Sequence, residues 1–177
     1  NGFLFLKNYI PLEKYLVCVA TSEMSANCPP ALLKAQTIVA RSWLLAANEQ
    51  KHANIGLDAC NDDCCQRYQG KGNVTDKALR ATKNTRGIVV LFDDEICDTR
   101  YSKSCGGMSE HNENVWQDNP KPYLRGVFDS PESLNPDLSS EMGLSNWIHK
   151  PSRCFCDSYF VPIDQLKGYL GQVDELK

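Results

Sequence analysis

The sequence has no block of basic residues, no long apolar run and only three histidines. With 19 Lys+Arg against 22 Asp+Glu, its formal charge of −3 leaves no electrostatic footprint for a polyanion, so no nucleic-acid partner is expected. The most apolar stretch, Ala31 to Ala47, carries Lys34 and Arg41, which are costly inside a bilayer, and is too short for a span. The chain opens on Asn1-Gly2 and then Phe3-Leu4-Phe5-Leu6 rather than on an initiator Met, so a missing export signal says nothing about compartment. The scarcity of histidine bears on cysteine chemistry: a papain-like nucleophile needs a histidine base, and His52, His111 and His149 stand in no recognisable signature. Internal repeats and low-complexity tracts are also missing. An apolar fraction of 42% excludes disorder and collagen-like structure and suits one globular domain spanning residues 1–177.

Cysteine is what the sequence does have. Nine occur among 177 residues, enriched but below the roughly 8–10% of a scaffold held mainly by disulfides. The odd count leaves at least one thiol free, metal-bound or paired between chains.

Residues 3 to 10 read as a short strand, and Pro11 opens a helix at the first-turn position proline favours. Leu12, Tyr15, Leu16 and Val19 follow on one face. Glu23 lies on that same face, four residues after Val19, near the middle of the stripe if the helix runs that far. A second helix is expected from Pro30 to about Lys51, apolar nearly all round and therefore central. On it, Lys34, Arg41 and Asn48 share a face, which is either a thin solvent edge or a route for Arg41 into a polar site. A third helix fits Thr75 to Arg86, capped by Thr75 and stopped by Gly87. Ile88 to Phe92 then reads as a buried strand, Asp93-Asp94 as a turn and Glu95 to Tyr101 as the return strand. Residues 129 to 147 read as an irregular connection, and Val161 to Leu176 as a terminal helix. The fold class is α+β, helices packed on a small, mainly antiparallel sheet.

Three places can carry chemistry. A carboxyl on an apolar face is disfavoured in its charged form and can give a proton to a leaving group, the sharper role for Glu23; the plainer one pairs it with Arg41 or Lys34. The segment Ser102-Lys103-Ser104-Cys105-Gly106-Gly107-Met108-Ser109-Glu110 combines hydroxyls, a carboxylate and close-approach glycines, as sugar binding requires, although such loops are also ordinary turns. Finally, Cys60, Cys64 and Cys65 with His52 upstream supply soft ligands of the kind zinc takes, the thiols of disulfides, or free buried thiols. Cys154 and Cys156 add two more partners.

Several blocks in order then resemble one family. Pro11-Leu12-Glu13-Lys14-Tyr15-Leu16, Ser22-Glu23-Met24, Ala31-Leu32-Leu33-Lys34-Ala35-Gln36 and Ala40-Arg41-Ser42 are followed by Asp58-Ala59-Cys60 and Cys65-Gln66-Arg67-Tyr68-Gln69-Gly70. Ala81-Thr82-Lys83, Tyr101 through Glu110, Val115-Trp116 and Pro122-Tyr123-Leu124 complete the set. Together they resemble the stage II sporulation protein D family, which includes amidase enhancers, over about residues 8–128, with 129–177 a variable extension.

The resemblance implies a lytic transglycosylase acting on peptidoglycan glycan strands, with Glu23 as the catalytic acid and no cofactor required for the chemistry. It implies a glycan groove lined by Arg41, Gln66, Tyr68, Ser102, Ser104, Gly106, Gly107 and Glu110. It further implies a structural zinc on His52, Cys60 and Cys65, with Cys64 standing where relatives often have histidine, as either a substitute ligand or half of a disulfide. The setting implied is the extracytoplasmic envelope, periplasmic, secreted or membrane-anchored. The other activity the resemblance allows is non-catalytic enhancement of a partner N-acetylmuramoyl-L-alanine amidase.

Overall fold

The computed structural model describes residues 6–46, 51–116, 119–129 and 137–149. They fall into two compact units divided between Lys103 and Ser104. The class is α+β, as expected: five α-helices and one two-stranded antiparallel sheet among the described residues.

The first unit is built on three helices. Pro11 sits just before α1 (Leu12–Glu23) rather than inside it, its carbonyl accepting from the amides of Lys14 and Tyr15. Helix α2 (Pro30–Ala46) starts on the second of two adjacent prolines, Pro29 ending the preceding turn. Helix α3 (Asp76–Asn84) is capped by the Thr75 hydroxyl, which accepts from the Ala78 amide; it ends three residues before Gly87, whose φ of 72° lies in the left-handed region glycine adopts cheaply. Each helix packs on the other two. The core between them is Leu16, Val17, Cys18 and Val19 of α1, Leu33 and Ala40 of α2, and Ala78 and Ala81 of α3. Small residues on α2 and α3 let the helices approach closely enough to exclude water, the main stabilising effect in a core this small.

The sheet is a hairpin of β1 (Leu91–Phe92) and β2 (Glu95–Ile96), with Leu91 opposite Ile96 and Phe92 opposite Glu95. Asp93 and Asp94 both have positive φ, 50° and 62°. Such a pair matches the twist of a tight hairpin, and aspartate tolerates it better than most side chains. The backbone beside the hairpin is fastened to α2 by polar side chains: Ser42 Oγ accepts from the Val90 amide, Arg41 donates to the Ile88 carbonyl, and Thr99 donates to the Val39 carbonyl. This accounts for the burial of Arg41 and Ser42 on α2, since each satisfies a backbone group that would otherwise go unpaired.

Three expectations change here. The return strand expected over Glu95 to Tyr101 is only Glu95–Ile96. The strand expected over Ile88 to Phe92 is paired only at its end, and Ile88, Leu91 and Phe92 are exposed rather than buried. Residues 6–10 form no strand. A run of apolar residues reads as a buried strand whether or not its side chains end up covered, and Ile88, Leu91 and Phe92 stay exposed. The helix expected over Val161 to Leu176 lies outside the described residues.

In the second unit, residues 107–109 pair with 127–129. Met108 bridges Phe128, Ser109 and Val127 exchange hydrogen bonds, and the Asp129 amide donates to the Gly107 carbonyl. Short α4 (Asn112–Trp116) lies where no element was expected, and most of α5 (Glu141–His149) falls within the stretch read as an irregular connection. Arg125 holds both Glu113 oxygens and the Asn112 side-chain oxygen, and its hydrogen bonds keep the Glu113 carboxyl down to about 2. Phe128 meets Trp147 of α5 edge to face at 5.6 Å.

Candidate functional site

Glu23 closes α1, half-buried, at the end of the helix rather than in the middle of its apolar stripe. One carboxylate oxygen, Oε1, accepts from the Arg67 amide at 2.8 Å and from the Tyr101 hydroxyl at 3.2 Å. Among the described residues Oε2 has no hydrogen-bond partner. Two donors on one oxygen fix the carboxyl plane and gather its negative charge on Oε1. A proton given or taken by this group therefore moves through Oε2.

The loop after Cys65 is shaped to make that contact. Ser22 Oγ, itself donating to the Cys18 carbonyl, accepts from the Gln69 amide at 3.0 Å. The amides of Arg67 and Gln69 thus clasp the last two residues of α1. Tyr68, between them, stacks on Tyr15 with centroids 5.5 Å apart and planes 9° from parallel. Gln66 points the other way, only 1% exposed, accepting from the Tyr15 hydroxyl and donating to the Ala40 carbonyl. Burial first pushes the hydroxyls of Tyr15 and Tyr101 well above their usual range, helped next by the neighbouring Cys65 and Cys60 at Tyr15 and by the charge of Glu23 at Tyr101. Tyr101 is therefore held as a neutral donor to Glu23.

His52, Cys60, Cys64 and Cys65 come together in the same unit, their ligand atoms all within 4.8 Å of one another. Cys60 Sγ lies 3.2 Å from Cys64 Sγ, and Cys64 Sγ lies 3.7 Å from His52 Nε2. A tetrahedral ion with sulfur at about 2.3 Å and nitrogen at about 2.0 Å separates its ligand atoms by roughly 3.5–3.8 Å, so shifts of about 1 Å or less would close these four around one. The Asp62 amide donates to Cys60 Sγ at 3.4 Å, the kind of outer bond that steadies a thiolate ligand. Burial pushes the Cys60 thiol up, but that amide and the neighbouring thiols outweigh it and the thiol ends below its usual range. Hydrogen bonding to Cys60 pushes Cys64 up to about 11. The donor set fits a metal ion, and all four residues are those the sequence pointed to. All seven cysteines among the described residues are free thiols.

The residues expected in a glycan groove have different fates. Arg41 is 1% exposed, its guanidinium committed to both oxygens of Glu13, at 3.1 and 2.7 Å, and to the Ile88 carbonyl. Of the two readings of its helix face the inward one holds, and the residue it meets is Glu13, not Glu23. Gln66 is enclosed as described. Tyr68 is half-buried and Ser102 is exposed. Ser104, Gly106, Gly107 and Glu110 belong to the second unit. There Gly106 and Gly107 take positive φ of 65° and 92°, and Glu110 accepts from the His111 amide and the Asn114 side chain, which lower its carboxyl.

Sequence reasoning missed the donors to Glu23. Arg67 contributes only its backbone, which no side-chain pattern reveals. Tyr101 stands at the head of the hydroxyl-rich segment, and its position there was the one available signal.

A family model described as stage II sporulation protein matches residues 2–92. An uncharacterised protein of Brachyspira hyodysenteriae is 29% identical over 127 residues, covering 72% of this chain and 34% of that protein. Stage II sporulation protein D of Bacillus subtilis is 27% identical over 132 residues, covering 67% of this chain and 38% of its own length. Its counterpart from Bacillus amyloliquefaciens is 26% identical over the same length. The chain spans somewhat over a third of the length of these relatives.

Proposed function

The chain belongs to the stage II sporulation protein D family, and on that premise we propose that it is a peptidoglycan lytic transglycosylase of the extracytoplasmic cell envelope. It cuts the bond from N-acetylmuramic acid to N-acetylglucosamine in glycan strands and leaves 1,6-anhydro ends. The observation that carries this reading is one carboxylate, Glu23, oriented through Oε1 with Oε2 open.

Water-using and covalent glycosidases commonly need a second carboxyl group. A transglycosylase needs one, because the muramic acid C6 hydroxyl is the nucleophile. Glu23 gives its Oε2 proton to the bridging oxygen as the glycosidic bond breaks. The resulting carboxylate, its charge drawn to Oε1 by Arg67 and Tyr101, then takes the C6 hydroxyl proton as that oxygen closes on the anomeric carbon. Tyr68 and Ser102 supply sugar contacts in this account. Arg41 and Gln66 are positioning residues, the first tying α1 to α2 and the second anchoring the loop whose amide holds Glu23.

A zinc ion held by His52, Cys60, Cys64 and Cys65 would supply structure rather than chemistry, fixing the loop that runs on into Gln66 and Arg67. Metal analysis is expected to find about one zinc per chain. A strong chelator should lower the melting temperature and speed amide exchange over residues 52–69. Unchanged exchange after complete metal removal would refute the structural role.

Tyr101→Phe should reduce turnover by about ten- to a hundredfold with little change in KM, since a hydrogen bond to a charged group is worth about 1.5–3 kcal/mol. Equal turnover in the variant would show that Tyr101 does not orient the acid. The function itself is tested by incubating the protein with glycan strands stripped of stem peptides and analysing the products by mass spectrometry. Anhydro-ended fragments are expected. Intact strands, with stimulation of an added N-acetylmuramoyl-L-alanine amidase, would place the chain among enhancers instead.

A further inference from the structure

The cysteine cluster has a property that ligand geometry alone does not require. Two of its thiols are in contact, Cys60 Sγ and Cys64 Sγ at 3.2 Å, and Cys64 is exposed while Cys60 is half-buried. They are separated by Asn61-Asp62-Asp63, an exposed turn closed by the Cys65 amide donating to the Asp62 carbonyl. A disulfide has its sulfurs about 2.05 Å apart, so joining these two takes a movement of about 1 Å in a solvent-facing turn. Cys65 is less free to move, because the next residue, Gln66, is anchored inside the fold, and a bond between adjacent cysteines strains the backbone.

We propose that Cys60 and Cys64 are a redox-modification site: reduced, they hold a metal ion with His52 and Cys65; oxidised by a peroxide, they form a disulfide and the ion leaves. In the first step one thiolate of the pair attacks a peroxide oxygen. The O–O bond breaks, a sulfenic acid forms, and the departing hydroxide takes a proton to become water. The other sulfur then attacks the sulfenic sulfur, the S–S bond forms, and the S–O bond breaks to release a second water. Two metal-bound thiolates, one hydrogen peroxide and two protons from the solvent give one disulfide and two waters, both electrons passing from the sulfurs to the peroxide oxygens. A divalent ion keeps its charge throughout and is released because only His52 and Cys65 remain to hold it. Resting on the reading of Glu23 as the acid, the consequence is control of activity. The loop that loses its metal is the one whose Arg67 and Gln69 amides clasp Glu23 and Ser22.

The test uses zinc-loaded protein, hydrogen peroxide and a chromogenic zinc chelator, followed by alkylation and peptide mapping. A Cys60–Cys64 crosslink is expected, appearing in step with zinc release and reversed by a dithiol. Cys64→His keeps four ligands but removes the second sulfur of the pair, so it should bind zinc, form no crosslink and release the ion about tenfold more slowly or less. A crosslink to any other cysteine, oxidation without a disulfide, or release from Cys64→His at the unaltered rate would overturn the proposal. Strand cleavage measured on the same samples separates the two claims. A redox response in a protein that cuts no strand defeats the transglycosylase reading alone, and a strand-cutting protein with no crosslink defeats this proposal alone.

Discussion

Glu23→Gln should lower strand cleavage by about a thousandfold or more, with the melting temperature nearly unchanged. General acid and general base catalysis each contribute about 10²–10⁴-fold, and Glu23 serves as both in turn. Glutamine preserves the structure because its carbonyl oxygen can accept from the Arg67 amide and the Tyr101 hydroxyl as Oε1 does. Its amide nitrogen, in the place of Oε2, has no proton acidic enough to give. Kinetics on glycan strands and a thermal melt on the same preparation are the needed measurements. Retention of more than about a tenth of the activity would put the acid elsewhere, because loss of a general acid is not that mild.

The largest effect on stability is expected at Arg41. Its guanidinium satisfies both Glu13 oxygens and the Ile88 carbonyl from a position 1% exposed. Arg41→Ala leaves a half-buried carboxylate and a carbonyl without their donor and opens a cavity between α1 and α2. Breaking a buried pair from one side costs about 3–5 kcal/mol; Glu13 keeps some contact with water, so the lower end applies. In urea the unfolding midpoint should fall accordingly. Arg41→Lys should recover only part of the loss, since an ammonium cannot reproduce the two-pronged contact. A midpoint unmoved in Arg41→Ala would show that the pair contributes nothing to the fold.

Glu23 and Arg41 show what residue patterns do and do not carry. Glu23 stood out because helical spacing put it on the face of Val19, although the helix ends there and leaves it half-buried. Its donors did not, since one is a main-chain amide 44 residues away and the other a hydroxyl 78 residues away. Arg41 was legible as a charge on an apolar helix but not in its partner, because helical spacing says nothing of which residue another helix brings. The grouping of His52 with Cys60, Cys64 and Cys65 was legible: three of the four lie within Cys60 to Cys65, so chain geometry alone keeps them close. Helices α4 and α5 were missed because one is five residues long and the other follows a polar, turn-rich stretch, where apolar spacing gives little signal. The exposure of Ile88, Leu91 and Phe92 was missed for the opposite reason, an apolar run being the same string of residues covered or bare.

The most direct measurement of the central claim is cleavage in water enriched with heavy oxygen. If the C6 hydroxyl is the nucleophile, no solvent oxygen enters the products, and the new muramic acid ends have the mass of the anhydro sugar with no label. Ends that carry the heavy oxygen and the added mass of water would show that water is the nucleophile, and the single-carboxylate account of Glu23 would be wrong.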